Sequence, residues 1–200
     1  MKITEIKQQV KRAGRFSIFV DGKYSFSLSD TAILENPVRV GQELDEAELK
    51  AFKELSADDK IYNATLNYLA IRRRSEWELR QYLQRKHSPA PLIDQILNKL
   101  SMMGYVDDEK FAQSWVDSRR LLRPSSFRKL QSELQAKHIS REVIGKVLQK
   151  DTGDERTTLR AIIERKRGRY PDEQKLMQYL ARQGFSYDDI KSALKVEEEY

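Results

Sequence analysis

The sequence predicts a mainly α protein: three tandem three-helix repeats forming an elongated curved array, preceded by a small β-hairpin-containing N-terminal region. Three observations predict it. Alternating apolar residues near the start are broken by Asp21-Gly22. Three later segments, LRQYLQRKHSPAPLIDQIL from Leu79, LQSELQAKHISREVIGKVL from Leu130 and LMQYLARQGFSYDDIKSAL from Leu176, share one apolar register. Arginine-rich clusters recur at one point of each repeat.

Phe16, Ile18 and Val20 alternate with polar neighbours, as do Tyr24, Phe26 and Leu28. Asp-Gly between them supplies the positive φ angles of a two-residue hairpin turn. Ile3 and Ile6, before Val10, predict a further strand. Asn36-Pro37 and Gly41 mark turns, and Asp45 with Glu48 opens a helix through Leu49, Phe52 and Leu55. From there on every segment reads as helix.

The aligned leucines Leu79, Leu130 and Leu176 stand 51 and then 46 residues apart. From each, the apolar positions coincide at Leu83, Leu134 and Leu180, at Ile93, Ile144 and Ile190, and at Leu97, Leu148 and Leu194. Each register spans two short helices, the second opened by a cap at Ser88 with Pro89 behind it, Ser140 or Ser186. An earlier helix leads each pair, carried by Tyr62 and Leu66, Phe111 and Trp115, and Leu159 and Ile163, four apart and so on one face. In GYVDDEKFA, Gly104 ends one helix and Asp107 caps the next. The expected division is 1–55 for the β-rich region with its connecting helix, then repeats at 56–104, 105–150 and 151–200, each burying an apolar face that its neighbour completes.

The stretch IRRRSEWEL holds three arginines just before a helix start marked by Ser75 and Glu78 at capping-box spacing. A helix N-terminus repels cations, so the dipole does not explain them. Equivalent clusters follow: Arg72, Arg73 and Arg74 in the first repeat, Arg119, Arg120 and Arg123 in the second, Arg165, Lys166, Arg167 and Arg169 in the third. One such cluster is a helix-end complement to the preceding dipole. Ten cations in three registers predict a line of positive charge that binds a partner.

Composition narrows the partner. The chain of 200 residues has net charge +6, but residues 1–60 hold 10 Lys/Arg against 11 Asp/Glu while residues 61–200 hold 27 against 20. The basic excess belongs to the repeats and points to nucleic acid or an acidic protein surface. There is no cysteine, which excludes disulfides, thiol catalysis and thiolate zinc sites. No apolar run suits a membrane span and MKITEIKQQV is no signal peptide, so no membrane, a cytoplasmic location and a monomer are expected.

RRRSEWELRQYL at 72–83, GYVDDEKFAQSWVDSRR at 104–120 and YLARQGFSYDDIKSAL at 179–194 together resemble the RecX family of recombination regulators. The resemblance covers roughly residues 58–195, and the hairpin start is similar to the N-terminal extension of some members. It implies tandem three-helix repeats that bind the RecA filament on single-stranded DNA, in its groove, and restrain its strand-exchange, ATPase and coprotease activities. Direct DNA binding by the array is the alternative. The chain departs from the family pattern after Arg120, where LLRPSSFRKL carries Pro124.

Other residues have plainer readings. His87 and His138 share one repeat position, occupied by Gly184 in the third, and read as helix-end residues without carboxylates or thiols at ligand spacing, so no metal is expected. Asp107-Asp108 and Asp188-Asp189 read as first-turn acids rather than acid/base pairs. There is no Walker pattern or catalytic triad order, so neither an enzyme nor a cofactor is expected. Trp115 reads as core; Trp77, aligned with Arg128 and Gln174, reads as exposed or packed on the N-terminal part. Glu197, Glu198 and Glu199 read as a solvated tail.

Overall fold

The computed structural model describes residues 1–151 and 153–198, and the side chains of these up to Lys195. The acidic run from Glu197 to Glu199 therefore lies outside the described side chains.

Strands β1 (Ile3–Gln8), β2 (Arg15–Val20) and β3 (Lys23–Ser29) form an antiparallel sheet in the order β1-β2-β3. Asp21 and Gly22 take φ of 48° and 78°, the two left-handed residues that a turn matched to the strand twist requires. Ile3, Ile18, Val20, Phe26 and Leu28 point to one buried face, whereas Val10 lies beyond β1 and is exposed. A short helix α1 (Asp30–Glu35) follows directly, capped by the Ser29 hydroxyl. The sequence reading had only a turn here, at Asn36-Pro37.

Helix α2 (Glu46–Ile71) runs unbroken for 26 residues from the capping box of Asp45 and Glu48. The expected connecting helix ended near Leu55, with a separate helix carrying Tyr62. The structure joins them because the polar residues between them face inward. The Ser56 hydroxyl donates to the Ser27 carbonyl at 2.7 Å and accepts from its N–H, and Asp59 accepts from the Ser29 N–H at 2.9 Å. These bonds occupy the outer edge of β3, which would otherwise be an open pairing template. Asp59 also meets Arg15 at 2.9 Å, both side chains buried. Asn63 and the Ser29 hydroxyl satisfy its remaining lone pairs, as a buried charge demands.

The remaining helices are α3 (Glu76–Arg85), α4 (Ala90–Met102), α5 (Asp108–Leu122), α6 (Phe127–Gln135), α7 (Arg141–Lys150), α8 (Glu155–Arg167), α9 (Glu173–Arg182) and α10 (Tyr187–Glu198). Leu83, Leu134 and Leu180 are each fully buried, as the shared register requires. The middle helices α3, α6 and α9 end alike. The N–H groups of Ser88, Ile139 and Phe185 return to the carbonyls of Leu83, Leu134 and Leu180, around a left-handed residue at His87, His138 or Gly184. This is the Schellman closure, and His87 and His138 both hold φ of 57° within it.

One expected cap shifts by a residue. Ser140 and Ser186 accept from the N–H groups of Val143 and Asp189, but in the first repeat the equivalent position is Pro89, whose carbonyl starts α4. Ser88 instead fills the place of Ile139 and Phe185, the buried apolar residues of the closure, and its hydroxyl is buried without a hydrogen-bond partner among the described residues.

The chain divides into two compact units, residues 1–72 with 80–100, and residues 73–79 with 101–200. The first contains the sheet cluster around Ile18 and Phe26. The second contains two helical cores, one around Phe111, Leu130, Leu134 and Ile144 and one around Leu159, Leu176, Leu180 and Ile190.

Candidate functional site

Within the second unit, the N-termini of the middle helices α3 and α6 are each clasped by the repeat that follows. At the N-terminus of α3, Ser75 Oγ accepts from the Glu78 N–H and donates to the Lys137 carbonyl at 3.1 Å. At the N-terminus of α6, Ser126 Oγ accepts from the Lys129 N–H and donates to the Gln183 carbonyl at 2.7 Å. The next N–H in each helix is also claimed: Glu76 donates to Asp108 and Phe127 donates to Glu155, the acid that opens the first helix of the following repeat. Helix starts leave N–H groups unpaired, and here hydroxyl caps and neighbouring acids satisfy them while joining repeats.

The acids at these starts are tuned differently. Partial burial holds the Asp108 carboxyl above its ordinary range, against the stabilising Glu76 N–H. The Lys110 N–H holds Asp107 below that range.

Around the second junction the helices leave an open groove of about 510 Å³. The C-terminal end of α5 and its loop line it with Arg119, Leu122, Arg123, Pro124 and Ser125; α6 adds Lys129 and Glu133, α8 adds Arg165 and Lys166, and α9 adds Tyr179 and Gln183. Its one carboxylate, Glu133, is already engaged: Arg119 Nε donates to it at 2.7 Å and the Trp115 indole N–H at 2.8 Å. Arg119 lies over the Trp115 ring at 4.6 Å and Lys166 over the Tyr179 ring at 5.9 Å. The remaining excess of cations, on an open polar surface, raises the local concentration of anions. By charge the arrangement suits an anion, and the Ser125 hydroxyl in its lining donates to the Arg123 carbonyl.

The structure thus brings together Arg119, Arg123, Arg165 and Lys166 from two of the expected clusters. Arg120 is not among the lining residues; its guanidinium is committed to Asp151, at 2.6 Å, and to the Ser125 carbonyl. Arg167 and Arg169 are exposed outside the groove lining. Arg72 ends α2 in extended backbone, and Arg72 and Arg73 are exposed with Arg74 half-buried. Sequence reasoning missed Lys129, a single charge one residue before Leu130. It also missed Tyr179, which appeared only as one aromatic in a helical register.

Two aromatic readings change. Trp77 stacks on His138 at 4.3 Å and is half-buried, so it packs on the following repeat and is not fully exposed. Trp115 packs beside Phe111 as core but is half-buried, with Arg119 on its ring.

A small antiparallel sheet leading into tandem three-helix domains, with cationic residues at the helix ends, defines a helical-repeat protein. Comparison with known proteins gives its kinship. Residues 1–45 match the regulatory protein RecX N-terminal domain, and residues 62–100, 107–148 and 154–194 match the first, second and third three-helix domains of RecX. The regulatory protein RecX of Listeria monocytogenes serotype 4a is 32% identical over 200 residues, covering 96% of this chain and 74% of that protein. That of Bacillus pumilus is 31% identical, covering 96% and 76%. A crystal structure of regulatory protein RecX superimposes with a TM-score of 0.77 at 27% identity, covering 97% of this chain and 98% of the other. RecX from Lactobacillus salivarius gives 0.62 at 25% identity, covering 72% and 97%. The chain belongs to the RecX family of regulatory proteins. That name denotes a regulator and no catalytic activity, and among the described residues no helix is long and apolar enough to cross a membrane.

Proposed function

We propose that this chain regulates RecA by lying, as a monomer, in the groove of a RecA filament on single-stranded DNA and restraining its ATPase, strand-exchange and coprotease activities. The groove lined by Arg119, Arg123, Lys129, Arg165 and Lys166 carries this reading, because a cationic channel between repeats meets both acidic protein surface and phosphate. The exposed Arg72 and Arg73, with Arg74, provide a second basic contact at the start of α3. Family membership supports RecA as the partner.

Titration of the protein into a RecA ATPase assay on single-stranded DNA tests it, with inhibition expected and unchanged turnover counting against it. Combined Arg123→Ala and Arg165→Ala should weaken inhibition, as should Arg72→Ala, Arg73→Ala and Arg74→Ala together, with a flatter dependence on salt because fewer ionic contacts remain. Direct binding to nucleic acid is the second reading, favoured by the exposed Leu122 and the Tyr179 ring beside the cations, a composition suited to an unpaired strand. Tight binding of a naked oligonucleotide, with inhibition lost in proportion on the same variants, selects it.

A further inference from the structure

We propose that Arg120 is the positioning residue of this groove: it touches no ligand, but its guanidinium holds in register every segment that supplies a groove cation. This inference rests on the reading of the groove as the binding surface.

The contacts carry it. Nε and Nη2 of Arg120 donate to Asp151 Oδ2 at 2.9 and 2.6 Å, just past the end of α7. Nη1 donates to the Ser125 carbonyl at 2.7 Å, in the loop between α5 and α6, and reaches Thr158 Oγ1 of α8 at 3.5 Å. The guanidinium plane covers the Phe127 ring at 4.8 Å, in the first turn of α6. Arg120 itself sits on the last turn of α5, one residue from Arg119 and three from Arg123. One side chain therefore spans α5, the following loop, α6, the link after α7, and α8. The groove cations Arg119, Arg123, Lys129, Arg165 and Lys166 stand on those elements.

The backbone opposite confirms how closely it is held. A Cβ on Gly153 would come within 2.5 Å of Arg120 Nε and 2.7 Å of its Cζ, so the backbone at Gly153 lies close against the guanidinium. With side-chain exposures of 17% and 7%, Arg120 and Asp151 are largely withdrawn from water and from any docked partner. A planar fork with five donors suits this junction, which uses three of its nitrogens on three separate segments; a lysine ammonium is a single point.

Simple charge counting and positioning predict opposite results at Asp151. Removing a carboxylate from a cationic region should tighten binding of a polyanion; removing the anchor of Arg120 should weaken it. The test measures affinity for a RecA filament assembled on a fluorescent single-stranded oligonucleotide, at a temperature where circular-dichroism melts show each variant fully folded. Arg120→Lys, Asp151→Asn and Gly153→Ala are expected to weaken binding several-fold each, although none removes a positive charge. Arg123→Ala with Arg165→Ala serves as the groove control. Weakened binding in that control together with wild-type or tighter binding by Asp151→Asn and Arg120→Lys overturns the positioning role alone. Unaltered binding in the control overturns the groove reading, and the positioning role with it.

Discussion

The two repeat junctions of the second unit share a backbone clasp and differ in what surrounds it. In both, a capping serine donates to the carbonyl that ends the next middle helix, and an acid from the next first helix takes the following N–H. At the first junction the side chains close the surface: Trp77 stacks on His138, and Lys137 Nζ meets Glu78 at 2.7 Å. At the second, the aligned positions hold Arg128 for Trp77, Lys129 for Glu78, Gln183 for Lys137 and Gly184 for His138. Cation faces amide, no ion pair forms between those two, and the aromatic lid is absent. The same backbone geometry thus builds a sealed joint once and an anion-attracting groove once, and a few side chains decide which.

The comparison breaks or sharpens by substitution. The largest effect is expected at Gly184, which holds φ of 91° and where a Cβ would meet Ser126 Oγ at 2.4 Å. Gly184→Ala should destabilise by about 2–4 kcal/mol, from left-handed strain plus overpacking. His138→Ala, at the equivalent place, should lose only about 1 kcal/mol with the Trp77 stack. Equal urea midpoints for the two would show that the junctions do not differ in closeness. Ser75→Ala and Ser126→Ala each remove a cap and a clasp, and should cost about 1–2 kcal/mol apiece. A loss at one serine only, in thermal melts, would break the equivalence.

Lys129→Glu gives the second junction the carboxylate of the first. Filament affinity should fall about tenfold while the melt moves by roughly 0.5 kcal/mol or less, since the side chain lines an open groove. The smallest effect concerns pH at the first junction. Asp108, held above its ordinary range chiefly by burial, takes up its proton in the folded state before it does so in the unfolded chain. Stability from this group therefore rises as pH falls from neutral toward the unfolded value and is lost as pH rises. Asp108→Asn should remove that slope, so the wild type should gain on the variant as pH is lowered from neutral in urea unfolding.

The repeats were legible in sequence because their signals are local. Serine caps, a leucine register and left-handed helix ends all fall within a single repeat, and Leu83, Leu134 and Leu180 are buried as the register requires. The shifted cap at Pro89 shows the limit, since Ser88 sits one residue early and serves the preceding helix end. Helix α2 was read as two because Ser56 and Asp59 look like surface residues until the strand edge they bond is known. The groove was legible by half. Arginine clusters announced Arg119, Arg123 and Arg165, but Arg120 looks the same as its neighbours, and Asp151 lies 31 residues away in a segment with no repeat counterpart to flag it. Lys129 is a single charge in a helix start, and nothing local distinguishes it from a solvated one.

The clasp also has a direction. Ser75 and Ser126 donate a hydrogen bond forward to the next repeat, whereas the cap of α9 is Asp172, whose side-chain oxygen accepts from the Lys175 N–H. A further three-helix unit laid against the third would find an acceptor facing its own helix-end carbonyl, two oxygens with lone pairs and nothing between them. The serine clasp that joins the first repeat to the second and the second to the third is thus not offered again at the start of α9.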